Sequence, residues 1–124
     1  MKRGLYSLVG VAVIATAIAG AAQAEEWKKL GEADLKDRFA DATISGRTHK
    51  GVPFEVTYEA SGKIVGLSQG YADEGKWWVN GPMICRKWKT WDQGRERCST
   101  VEMNGKEGRY QRVDGSGSGN WEMD

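Results

Sequence analysis

The sequence predicts a mainly β fold: an antiparallel up-and-down meander of about eight short strands, closed into a small barrel, with one short N-terminal helix. Three observations carry this. Beyond Ala40 the chain is a succession of short β-type segments separated by turn residues. Their connections are too short for the crossovers that parallel strands need, so neighbours pair antiparallel. A consecutive meander of this size leaves two unpaired edges unless it closes on itself.

In chain order, Lys2 and Arg3 precede an apolar or small run from Leu5 to Ala22, and Ala22-Gln23-Ala24 meets the polar Glu25-Glu26. This pattern predicts a secretory leader over residues 1–24, cleaved to leave a single domain over 25–124 and no stable membrane span. An uncleaved anchor is the competing reading. Gly10, Thr16 and Gly20 weaken it, in a run already near the lower length limit for a bilayer span. The remainder is close to neutral in charge, which argues against a nucleic-acid binder. Leu, Ile, Val and Phe are scarce, but six Trp compensate. Each buried aromatic removes about 150–250 Å² from water, so a small core rich in indoles can fold.

Leu35 and Phe39 are four residues apart among charged neighbours, which predicts a helix over residues 30–40. Strands are expected near 43–48, 54–59, 63–69, 75–80, 83–89, 95–103, 107–113 and 119–123. The clearest is Phe54-Glu55-Val56-Thr57-Tyr58-Glu59, with strict alternation. Gly66 inside the third suggests a bend or a close approach. Tyr71 to Glu74 read as a loop, Asn80-Gly81-Pro82 and Asn104-Gly105 as turns, and Asp114 to Gly119 as a Gly/Ser turn.

Cys85 and Cys98 are the only cysteines. In an exported chain a lone pair points to a disulfide, and Cys-x-x-Cys redox spacing is missing. A hairpin with a two-residue tip at Trp91-Asp92 places the two directly opposite one another. Opposed strand residues lie about 4.5–5.5 Å apart at Cα, within disulfide reach.

The pattern Gly75-x-Trp77, Cys85-x-x-Trp88-x-x-Trp91, Cys98, Gly105, Tyr110, Gly115 and Gly119-x-Trp121 covers about half of the mature chain. It resembles a family of small exported proteobacterial proteins classed as a domain of unknown function. The resemblance implies a periplasmic setting and a lipocalin-like small barrel, and offers no catalytic residues to carry over. Lipocalins place their Gly-x-Trp on the first strand, whereas here it lies mid-chain.

Enzyme chemistry finds little support. His49 is the single histidine and sits in a loop without an oriented nucleophile. Ser61, Ser68 and Ser99 lack a nucleophile elbow. One His with two bridged Cys cannot close a zinc site, and Asp73-Glu74 has no EF-hand frame. No cofactor or metal is expected.

Two candidate sites stand out. The first is a surface on the hairpin: Arg86, Trp88, Lys89 and Trp91, with Arg95 and Arg97 on the returning arm. Cations beside aromatics suit an anionic ligand or an envelope protein. The plainer reading is that alternation turns the bases to water and the Trp into the barrel. The second is the barrel interior, with Trp77 or Trp78, Phe54, Tyr58, Ile64 and Tyr110 as lining. Short strands and bulky aromatics favour an interior filled by side chains. The expected function is a non-enzymatic periplasmic binding or protein-interaction module, hydrolase inhibitors included by fold analogy. A small apolar ligand held in the barrel, an unrecognised envelope enzyme and a structural stress protein are the alternatives.

Overall fold

The computed structural model describes residues 26–124. The expected leader, residues 1–24, lies outside the described residues. Strand β1 (Lys28–Lys29) precedes helix α1 (Glu32–Phe39). Then follow β2 (Ala42–Arg47), β3 (Pro53–Tyr58), β4 (Lys63–Ser68), β5 (Tyr71–Asn80), β6 (Met83–Trp88), β7 (Glu96–Asn104), β8 (Glu107–Arg112) and β9 (Ser118–Met123). Each of β2 to β8 pairs antiparallel with the next, and β9 returns to β2. The result is a closed eight-stranded barrel. Strand β1 was not foreseen; it pairs with β7 at Met103 and Glu102, beyond the end of the β6–β7 ladder.

Alternation sorts the side chains. Ile44, Val56, Tyr58, Ile64, Trp77, Ile84, Trp88, Val101, Met103, Trp121 and Met123 all fall on the inward parity and are buried. Helix α1 closes one end. Its Leu35 and Phe39 are buried, and the Phe39 ring meets Tyr58 edge-on at 4.9 Å and Trp121 at 5.7 Å. Tyr58 in turn meets Trp77 at 5.5 Å, and the Trp77 indole N–H donates to the Glu59 carbonyl at 2.7 Å. Large rings with one satisfied polar edge thus replace the missing aliphatics. Glu32 and Asp34 in the first turn and Lys36 and Arg38 in the last complement the helix dipole. Asp41, at φ 62°, ends the helix; its carboxylate accepts the Ala60 N–H at 2.9 Å and its own N–H donates to the Tyr58 carbonyl at 2.6 Å.

Two boundaries differ from expectation for local reasons. Residues 71–74 are strand, because Tyr71 to Glu74 continue the ladder with β4, and the turn falls at Gln69-Gly70, both with positive φ. The β6–β7 hairpin has the expected register, with Cys85 opposite Cys98, but its tip is seven residues, 89–95, rather than two. The last pair of the β6–β7 ladder is Lys87–Glu96, so the unpaired stretch 88–95 adds three residues on each side of Trp91-Asp92 and leaves the register unchanged.

Cys85 and Cys98 form a disulfide with Cα atoms 4.0 Å apart, which is consistent with an oxidising compartment. Loop closure of this length stabilises a fold by about 3 kcal/mol. Reduction should therefore lower the thermal midpoint by roughly 12–24 °C for a domain of this size. Calorimetry with and without dithiothreitol checks this; an unchanged midpoint would mean that the bridge adds nothing to the paired strands.

Candidate functional site

The two ends of the barrel differ. Tight turns at Gly62, Gly81 and Gly105, together with α1, seal one end. At the other, the connections 48–52, 89–95 and 113–117 are longer and surround an open cavity of ≈ 630 Å³. Barrel closure contributes to the opening. Strands β2 and β9 pair only through Ile44–Met123 and Ser45–Glu122, and beyond that point Arg47 and Asn120 both line the cavity. The expectation of a filled interior is therefore corrected: the α1 end is filled and the opposite half is open. At the α1 end the inward Gly108 is covered by the Trp121 indole. Gly46, Gly66 and Gly119 occupy inward positions toward the open end.

The cavity floor is apolar and aromatic: Ile44, Phe54, Val56, Trp88, Trp91 and Tyr110. Gly66 makes room for the indole pair. A Cβ there would lie 2.3 Å from Trp91 Cζ3 and 2.7 Å from Trp88 Cη2. The two rings lean on each other at 4.8 Å and 55°. Trp91 is carried by a loop with three successive left-handed residues, Asp92, Gln93 and Gly94, at φ 56°, 57° and 68°. Non-glycine residues in this region cost about 1–3 kcal/mol each and persist only where the surroundings enforce them. The Asp73 carboxylate does so from β5, accepting the N–H groups of Thr90 at 2.9 Å and Trp91 at 2.8 Å. From β7, Arg97 donates to both Asp92 oxygens at 2.6 and 3.0 Å.

Three arginines share the inward parity: Arg86 on β6, Arg97 on β7 and Arg112 on β8. Arg97 is fully engaged, since it also reaches Asp114 at 3.2 Å and Ser116 at 3.4 Å. Arg86 and Arg112 line the cavity, and the Nε of each is buried without a hydrogen-bond partner. Arg47 stands at the rim, and among the described residues no Asp or Glu lines the cavity. Behind Arg86, burial pushes the Tyr58 phenol above its usual pKa, and the guanidinium opposes that rise. A void of ≈ 20 Å³ between Tyr58, Arg86, Ser99 and Tyr110, about the size of one water, separates the cavity from the α1-end core.

The Arg97 guanidinium holds the Asp92 carboxyl below the usual carboxylate range; desolvation works against it, and Arg112 and Arg86 add to the lowering. A carboxyl lowered by folding stabilises the fold above its unfolded pKa of about 4, and that contribution is lost as pH falls through the folded value. Asp92→Asn keeps a residue tolerant of left-handed backbone and removes the charge. It is expected to lower the urea midpoint at about pH 7 and to lower it less at about pH 3, below the unfolded pKa. An equal deficit at both would show that the ion pair is not the cause.

Of the residues singled out from sequence, the fold brings Arg86, Trp88, Trp91 and Tyr110 together around the cavity, with Arg97 behind them. Tyr58 and Trp77 belong to the α1-end core. Trp78 lies on the outer parity opposite Cys85. Lys89 points outward to Glu74 at 2.8 Å, and Arg95 is exposed beside Gln93. The expectation that alternation turns the hairpin bases to water is thus corrected for Arg86 and Arg97. Arg86 shares its parity with Trp88, and Arg97 sits directly opposite Arg86. Arg112, Arg47 and Asp92 were not identified as site residues. Arg112 shows one signal: it lies two residues beyond the inward Tyr110 at the end of β8. His49 is on the exposed rim of the cavity.

Among the described residues, no group of three or more His, Cys, Asp or Glu is placed to hold a metal ion, and no helix is long and apolar enough to cross a membrane. Comparison with family profiles, curated proteins and solved structures returns no match.

Proposed function

We propose that the protein is a non-enzymatic binding module of the periplasm that holds one small molecule in the open half of its barrel. The observation that carries this is the cavity itself. Its ≈ 630 Å³ falls within the range of about 300–1,000 Å³ common to small-molecule pockets, and it combines an aromatic floor with a few converging polar groups. Guanidiniums neither give nor take protons near neutral pH, so Arg86 and Arg112 suit holding better than turnover. A periplasmic setting draws support from the basic, apolar and A-x-A pattern of residues 1–24, from the disulfide, and from the resemblance carried by the Gly75 to Trp121 pattern.

Docking of an envelope protein is the weaker reading. Among the described residues the exposed large apolar side chains, Leu67, Tyr71 and Val113, are few, and Tyr71 belongs to the cavity wall. Native mass spectrometry of protein purified from its own source tests the proposal. One small molecule per chain, released on denaturation, is expected. A stoichiometric protein partner with no small molecule would favour docking instead.

A further inference from the structure

We propose that the cavity selects an amphipathic organic anion, its carboxylate, sulfonate or phosphate on Arg86 and Arg112 and its apolar body against Trp88 and Trp91. This rests on the reading of the cavity as a ligand site and adds the chemical class.

The charge distribution is the first argument. The chain as a whole is nearly balanced, with 18 basic and 17 acidic residues, yet among the described residues Arg47, Arg86 and Arg112 line the cavity with no carboxylate in its walls. The acids beside it are committed elsewhere, and Asp73, inward on β5, accepts the N–H groups of Thr90 and Trp91. Asp92 binds Arg97 through both oxygens, and Asp114 binds the same guanidinium at 3.2 Å. Asp92 feels Arg112 and Arg86 only as a secondary influence, after Arg97.

The second argument is unmet hydrogen-bonding capacity. Removing a cation from water is costly unless it is paired, and a buried donor without an acceptor forfeits its solvation. Arg97 shows what full pairing looks like in this barrel. Arg86 and Arg112, on β6 and β8 either side of β7, each keep a buried Nε with no partner and line the cavity. A carboxylate, sulfonate or phosphate offers the paired acceptor oxygens that the guanidinium fork matches. The third argument is the body of the ligand. Trp88, Trp91, Phe54 and Val56 offer apolar area beside these cations, so a bare inorganic anion would leave most of the cavity uncovered.

Two fluorescent probes that share their rings test this: anilinonaphthalene sulfonate, which is anionic, and phenyl naphthylamine, which is neutral. Both should bind the intact protein at one site with energy transfer from tryptophan. Arg86→Met and Arg112→Met should each weaken the sulfonate at least about tenfold and the neutral probe less than about threefold. Equal effects on both probes, or none on either, overturn the anion inference and leave the cavity reading standing. Failure of both probes to bind the unmodified protein overturns the cavity reading as well. Should a variant not fold, competition on the unmodified protein decides. Decanoate should displace the sulfonate at least about tenfold better than decanol, and equal displacement overturns the inference.

Discussion

Gly75→Ala is expected to lower the thermal midpoint by at least about 12 °C or to prevent folding. Gly75 sits at an inward position of β5 opposite Trp88. An added Cβ would lie 2.1 Å from the Lys87 carbonyl oxygen and 2.8 Å from Trp88 Cα. Both atoms are backbone of β6, so no rotamer change relieves the clash and the two strands must separate. Overpacking a core costs about 1–3 kcal/mol when side chains can adjust, and more when they cannot. At about 4–8 °C per kcal/mol, a cost near 3 kcal/mol gives the shift stated. Gly31→Ala is the control: nothing lies within 4 Å of its Cβ position and its φ is negative, so its midpoint should move by only a few degrees. Should Gly75→Ala melt with the unmodified protein, the β5–β6 register is wrong.

Trp121→Ala is expected to cost about 3–5 kcal/mol, the range for removing a large buried aromatic. Trp121 is 6 % exposed and its indole lies over Gly108, where a Cβ would sit 2.2 Å from Cη2. It also meets Phe39 of α1 and contributes to the cavity wall, so it joins the filled half of the barrel to the open half. Its loss should loosen the helix and enlarge the cavity together. Urea unfolding measures the cost, and Trp78→Ala on the outer parity opposite Cys85 should cost clearly less. Equal losses for the two would mean that inward and outward faces have been confused.

The strand pattern was legible because alternation is a local property. Phe54, Val56 and Tyr58 each face inward as their spacing requires, and the Asn104-Gly105 turn joins β7 to β8 as its chemistry demands. The disulfide and the hairpin register followed from two cysteines whose opposition constrains the pairing. The tip did not, because its left-handed run depends on Asp73 and Arg97, which reach it from other strands. The cavity was hidden for a related reason. A charged residue on a strand ordinarily marks the wet face, and Arg86 and Arg97 were assigned to it. Parity contradicts that assignment. Arg86 lies between the inward Ile84 and Trp88, and Arg97 lies two residues before the inward Ser99. Only the assembled barrel shows that β6, β7 and β8 bring three such arginines to one end. The room beside them depends on where inward glycines fall relative to inward rings, as at Gly66 beneath Trp91, a relation between strands rather than within one.

The indole N–H resonances of nitrogen-labelled protein, followed while decanoate is added, test the central claim most directly. Trp88 and Trp91 should shift together and saturate with one ligand per chain, while Trp27 and Trp78, which do not line the cavity, stay in place. Saturable shifts confined to Trp27 or Trp78, with Trp88 and Trp91 unmoved, would contradict it.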